Sequence, residues 1–263
     1  MTLPSSTPAT STLTVLAPAK VNLTLEVLRR REDGFHEIRS VMQRITLCDE
    51  LSVSHASDLH FECSDPALAG PDNLVYRAAA LLRAETGASL GARLRLVKRI
   101  PVAAGLGGGS SDAATTLAAL DVLWQLRLPR ERLLALAAQL GSDVPFFLAE
   151  SPCALAEGRG ELLTPLPSLP PRWLVLLKPD AGISAGAVYK AFPACSWSDG
   201  ARTTRWLEDA SRTRAVPPPF NDLELIALQV EPAAASARSW RAAALPTSPS
   251  SMTEPVPSGY AAA

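Results

Sequence analysis

Only four cysteines occur in the 263 residues, Cys48, Cys63, Cys153 and Cys195, and no two of them form a Cys-x-x-Cys pair. With three histidines in the whole chain, neither a zinc site nor a disulfide framework is indicated. No run approaches the roughly 20 apolar residues of a membrane-spanning helix. The start, Met1 to Thr12, is rich in Ser, Thr and Pro and lacks the charged and then apolar order of a signal peptide. A soluble, cytoplasmic protein is expected. An excess of charge is missing too: 25 basic residues face 26 acidic ones. No basic run carries the footprint of a nucleic-acid binder, so the expected partner is a small molecule, not nucleic acid or a membrane.

Apolar residues make up 47% of the chain, enough for one large domain or two smaller ones. Leu13 to Val27 and Met42 to Val53 read as extended segments around the polar stretch RRREDGFHE. Asp72 and Asn73 precede the helical run LVYRAAALLRAET, which Gly87 closes. ARLRLVKRI alternates as a strand with one buried face; a helix follows over Ser111 to Leu126, and another, ERLLALAAQL, stops at Gly141. The prolines at 165, 167, 170 and 171 suggest a linker, giving a tail over 1–12, a domain over 13–165 and a second over 166–240. Residues 241–263, with four prolines and no apolar period, read as disordered or frameshifted.

Three segments carry chemistry. Pro101, Val102, Ala103, Ala104, Gly105, Leu106, Gly107, Gly108, Gly109, Ser110 and Ser111 form a glycine loop leading into a helix. Glycines let backbone N–H groups approach a phosphate, serines add hydroxyls, and a helix N-terminus favours anions. No Lys-Ser or Lys-Thr follows, so this is not a Walker A loop, and Ser110 stands where the dinucleotide fingerprint needs its third glycine. The second segment, Ala17-Pro18-Ala19-Lys20-Val21-Asn22, sets a lysine and an asparagine on one strand face. A strand lysine is more often solvated surface; here it could steady transferring phosphate charge. In the third, Leu140-Gly141-Ser142-Asp143-Val144-Pro145, Asp143 could accept a hydroxyl proton, although helix capping is the commoner use.

Together the three segments resemble the GHMP kinases. Gly34-Phe35-His36, Pro71-Asp72-Asn73-Leu74-Val75 and CALAEGRGE over 153–161 are similar to the branch acting on cytidine-diphosphate-linked methylerythritol. The resemblance implies an α+β, two-domain GHMP kinase fold with the active site in the interdomain cleft. It also implies ATP with Mg2+, and phosphorylation of a 2-hydroxyl in non-mevalonate isoprenoid precursor synthesis. By that resemblance Pro101 to Ser111 would wrap the ATP phosphates, Asn73 and Lys98 would lie near the nucleotide, and Asp143 and Lys20 would be catalytic. Asn22 and Asp143 would contact the substrate, Phe35 and Tyr189 would hold the cytosine ring, and His36 would meet its edge. The family's third motif, a glycine turn near the C-terminus, is replaced by Ser250 to Tyr260, so the second domain is expected to be incomplete.

Overall fold

The computed structural model describes residues 12–87, 90–178, 182–234 and 261–262. Its contacts divide the chain into two units. The first holds the chain up to Pro18, Cys48–Arg99 and Gly108–Leu148; the second holds Ala19–Leu47, Ile100–Gly107 and the chain from Ala149. Along the sequence the chain changes unit after Pro18, Leu47, Arg99, Gly107 and Leu148. Strand β1 (Leu13–Asn22) and the 21-residue strand β3 (His36–Ala56) each contribute to both units. The single extended stretch expected over Leu13 to Val27 is broken at Leu23, with β2 (Thr24–Arg30) beginning after it.

In the first unit, the end of β3 pairs antiparallel with β5 (Gly91–Val97), from Glu50 opposite Val97 to Ala56 opposite Gly91. β5 pairs in parallel with β4 (Leu59–Cys63). Leu94 and Leu96 of β5 point inward while Arg93 and Arg95 are exposed, the period-two alternation that the sequence displays. Helices α1 (Leu74–Thr86), α2 (Gly108–Leu123), α3 (Arg130–Leu140) and α4 (Val144–Phe147) pack on one another. Asn73 caps α1 through its side chain, which accepts from the Val75 N–H, and Gly87 ends it in the left-handed conformation with φ of 64°. α2 is buried on most faces, Ala113, Ala114, Leu117 and Leu120 fully so, which suits a helix rich in Ala and Leu all round. It starts three residues before the expected Ser111, because Gly108 and Gly109 already follow the helical path. The Trp124 indole N–H donates to the Gly91 carbonyl at 3.2 Å, tying the end of this helical segment to β5.

In the second unit, β2 and β6 (Cys153–Gly158) flank the first part of β3, both antiparallel. β7 (Leu162–Pro165) continues from β6, and β9 (Phe220–Asn221) pairs in parallel with β2. Helices α5 (Ala185–Ala191), α6 (Ala201–Thr213) and α7 (Glu224–Val230) complete it. One apolar core gathers Leu23, Val41, Cys153, Leu155 and Trp206; another gathers Leu25, Val27, Val188, Phe192 and Leu223. The Trp206 indole N–H reaches the Pro217 and Pro218 carbonyls at 3.2 and 3.1 Å. Glu26, fully buried on β2, sits at the start of α6 and accepts from the Thr203 N–H at 2.6 Å, the Arg202 N–H at 3.3 Å and the Ser198 hydroxyl. Burial alone would raise its pKa, but these hydrogen bonds outweigh it and hold the carboxyl below the usual range.

β8 (Val175–Leu176) pairs antiparallel with β10 (Ala261–Ala262). The rest of the expected tail over 241–263 lies outside the described residues, as does the N-terminal tail except Thr12. Among the described residues no helix is long and apolar enough to cross a membrane.

Candidate active site

Each unit carries part of the chemistry read from the sequence. In the second unit the glycine loop bends through left-handed conformations at Ala103 (φ 54°), Gly105 (φ 71°) and Gly107 (φ 69°). Only Ala103 bears a Cβ there, and holding it against its preference costs on the order of 1 kcal/mol. The loop is fixed to the end of β1 by one backbone bond, from the Lys20 N–H to the Leu106 carbonyl at 2.9 Å. That bond sets the candidate lysine beside the glycine loop.

Lys20 is not the solvated strand lysine that is statistically commoner: it is 7% exposed. Its ammonium donates to Asn22 Oδ1 at 2.6 Å, Asn22 donates through Nδ2 to the Ser40 hydroxyl at 2.7 Å, and Ser40 donates to the Thr24 carbonyl at 2.6 Å. This relay from β1 through β3 to β2 leaves the lysine a defined direction. Asn22 therefore serves first as the lysine's support, a use that the strand pattern could not reveal. Ser40 and Thr24 went unnoticed in the sequence because their role depends on a pairing 16 to 18 residues distant.

The aromatic residues of the second unit are grouped differently from the expected pair. Tyr189, on α5, stacks with His36, ring centroids 5.3 Å apart and planes inclined by 26°. Phe35, half exposed, carries the Arg159 guanidinium 4.8 Å from its ring centroid. Arg159 belongs to the CALAEGRGE segment and sits in the turn after β6, between Gly158 (φ 71°) and Gly160 (φ 114°). Burial, and then the charge of Arg30, hold the His36 imidazole below its ordinary pKa. At neutral pH it is the uncharged ring, able both to donate and to accept at a base edge.

In the first unit, Asn73 uses both ends of its amide: Oδ1 accepts from the Val75 N–H at 2.9 Å, and Nδ2 donates to the Leu68 carbonyl at 2.8 Å. The adjoining Leu74 side chain lies beside Gly109 of α2, so the start of α1 borders the start of the helix that follows the glycine loop. Ser111 Oγ is buried with no hydrogen-bond partner among the described residues. Lys98, just beyond β5, does not reach outward. Its side chain is 10% exposed, and its ammonium donates to Asp49 and, at 2.8 Å, to Asp112. Asp143 precedes α4 without capping it through its side chain, so the usual employment of such a carboxylate is not taken up. Among the described residues no three His, Cys, Asp or Glu side chains gather to hold a metal ion.

The chain is similar to several known proteins. The family described as GHMP kinases N terminal domain matches residues 73–151. A 4-diphosphocytidyl-2-C-methyl-D-erythritol kinase of Geobacter metallireducens is 44% identical over 223 residues, 84% of this chain and 78% of that protein. One from Dehalococcoides mccartyi is 45% identical over 224 residues, with the same shares. A crystal structure of 4-(cytidine 5'-diphospho)-2C-methyl-D-erythritol kinase matches with a TM-score of 0.75 at 42% identity, covering 88% of this chain and 83% of that one. A homoserine kinase from Cytophaga hutchinsonii, at 16% identity and a TM-score of 0.58 over 89% of this chain and 77% of its own, shares the fold. The architecture is thus the expected α+β GHMP fold, and the chain belongs to the 4-diphosphocytidyl-2-C-methyl-D-erythritol kinase family of GHMP kinases.

Proposed function

We propose that this chain transfers the γ-phosphoryl group of ATP to the 2-hydroxyl of 4-diphosphocytidyl-2-C-methyl-D-erythritol, giving the 2-phosphate and ADP, in cytoplasmic non-mevalonate isoprenoid precursor synthesis. The observation that carries the reading is the backbone bond from Lys20 to Leu106, which joins a buried, oriented lysine to the glycine loop. Phosphoryl transfer is largely positioning and electrostatic stabilisation, and this joint supplies both from one short segment.

In this reading Pro101 to Ser111 cradle the phosphates through backbone N–H groups, Ser110 and Ser111 add hydroxyls, and Asn73 and Lys98 shape the nucleotide side. Asp143 receives or orients the proton of the attacking hydroxyl, and Lys20 steadies the charge that develops on the transferred group. Phe35, His36 and Tyr189 receive the cytosine: the aromatic faces stack and the neutral imidazole meets its edge. Such a base–aromatic stack is worth ~1–3 kcal/mol. Asn22 keeps Lys20 aimed and contacts the substrate. Magnesium would arrive with the nucleotide and would neutralise part of its phosphate charge.

The test is ATP consumption by the purified full chain with that substrate, beside Asp143→Ala and Lys20→Met. Either substitution should lower kcat by ~10²–10⁴-fold while leaving nucleotide binding in place. Turnover surviving in Asp143→Ala at the wild-type rate would remove the carboxylate from the mechanism. No turnover by the intact chain, with ATP still bound, would overturn the kinase assignment for this sequence.

A further inference from the structure

Lys98, Asp49 and Asp112 place one cation and two carboxyls in a buried cluster, with side chains 10%, 0% and 3% exposed. Asp49 comes from β3, Lys98 from just beyond β5, and Asp112 from α2, directly after Ser111 and past the helix's first turn. The Arg99 backbone N–H also donates to Asp49. The Arg99 guanidinium is directed to Glu50 at 3.2 Å. From β4 the Cys63 thiol feels both Lys98 and Asp112. Both carboxyls accept from the same Lys98 ammonium, which brings their charges close to one another. One oxygen of Asp112 has no hydrogen-bond partner among the described residues.

The charge count turns this geometry into a device. With both carboxyls ionised the cluster carries one net negative charge; with one proton added it is neutral. Its Asp112 directly follows Ser111, the last residue of the segment that the reading above assigns to a polyanion. A net negative charge buried one residue behind the phosphate hydroxyls opposes a triphosphate strongly, because so little water is present to screen it.

We propose that Asp112, held by Lys98 beside Asp49, is a positioning residue of the phosphate site, and that Asp112 takes up a proton from solvent when a nucleoside triphosphate binds. The proton neutralises the cluster while Lys98 keeps its bond to Asp112 near the start of α2. Burial first, and the Asp49 carboxyl besides, push Asp112 up to about 7, against the opposing pull of Lys98, so the proton is exchangeable near neutrality. The inference rests on reading the start of α2 as the phosphate site.

Calorimetric binding of magnesium and a non-hydrolysable ATP analogue tests it, run at pH 7.5 in two buffers of different ionisation heat. The wild-type chain should take up between about 0.3 and 0.8 proton per nucleotide, and its affinity should fall by up to about tenfold per pH unit above neutrality. Asp112→Asn, which mimics the protonated carboxyl, should bind across pH 6–9 without that uptake and without that slope. Asp112→Leu, apolar and of similar size, should bind more weakly at every pH. Asp49→Asn gives the same test from outside α2 should Asp112→Asn fail to fold. Wild-type uptake persisting in the Asn variant, or binding by the wild type with no uptake, would overturn the proposal while leaving the phosphate site standing. Absence of any nucleotide binding by the wild type would overturn the phosphate-site reading itself.

Discussion

Asn73 and Asp143 both stand just before a helix, yet only Asn73 caps one. The first was legible in the sequence because capping chemistry is local: an amide oxygen two residues ahead of a waiting N–H. The second was legible only as a choice between two uses, which the uncapped geometry narrows. Lys98 shows the opposite limit. Its partners are 49 and 14 residues away, so nothing in the alternation of β5 announces a buried ion cluster. Asp112 makes that cluster measurable through stability as well as binding. Its folded-state pKa is raised from 3.8 to about 7, so the folded chain keeps a proton that the unfolded chain releases. The resulting stability is full below pH ~4 and is lost progressively as pH rises to ~7. Asp112→Asn cannot lose that proton, and its stability relative to wild type should therefore increase by ~1–3 kcal/mol between pH 5 and 8. Denaturant unfolding at several pH values checks this, and parallel pH profiles for the two chains would refute it.

At the scale of elements, the helices α1 and α3 and the strand β5 follow from period and caps. β3 does not: its 21 residues exceed the stretch that alternation marks, because pairing on both sides carries it through polar positions. The start of α6 was equally hidden. Gly200, at φ of 81°, begins it without a side-chain cap of its own. The missing acceptor is Glu26, supplied from a strand some 175 residues earlier in the chain. Glu26→Gln keeps the shape and halves the acceptor capacity, so it should destabilise the chain by ~1–3 kcal/mol at pH 7. The carboxyl's folded-state pKa lies below its ordinary 4.5. Its contribution is therefore present above about pH 4.5 and lost as acid drives the pH through that lower value, where wild type and variant should converge. Thermal unfolding across pH 3–7 measures the convergence.

For the whole molecule, the contacts change unit five times along the chain. Local composition reports where a chain is irregular, and says nothing of which distant strands it later joins. The matched stretch 73–151 contains β5 and four helices but neither β3 nor β4, the strands that pair beside β5. Expressed alone, residues 73–151 should show no cooperative thermal transition by circular dichroism, whereas the full chain should; a sharp transition in the fragment would contradict the role given to those strands. The glycine loop, the Lys20 segment and the Asp143 turn were all visible in advance because each is a contiguous motif. The His36–Tyr189 stack was not, since its two rings are separated by more than 150 residues.

The two deeply buried indoles lend the molecule an optical asymmetry. Trp124, 6% exposed, belongs to the first unit, and Trp206, 4% exposed, to the second, while Trp173 and Trp197 are 76% and 44% exposed. Among the described tryptophans, blue-shifted emission under selective excitation thus originates from one shielded fluorophore per unit. Replacing either by phenylalanine removes the shielded contribution of its own unit, so that the difference from the unaltered chain on heating reports the loss of that indole's buried surroundings.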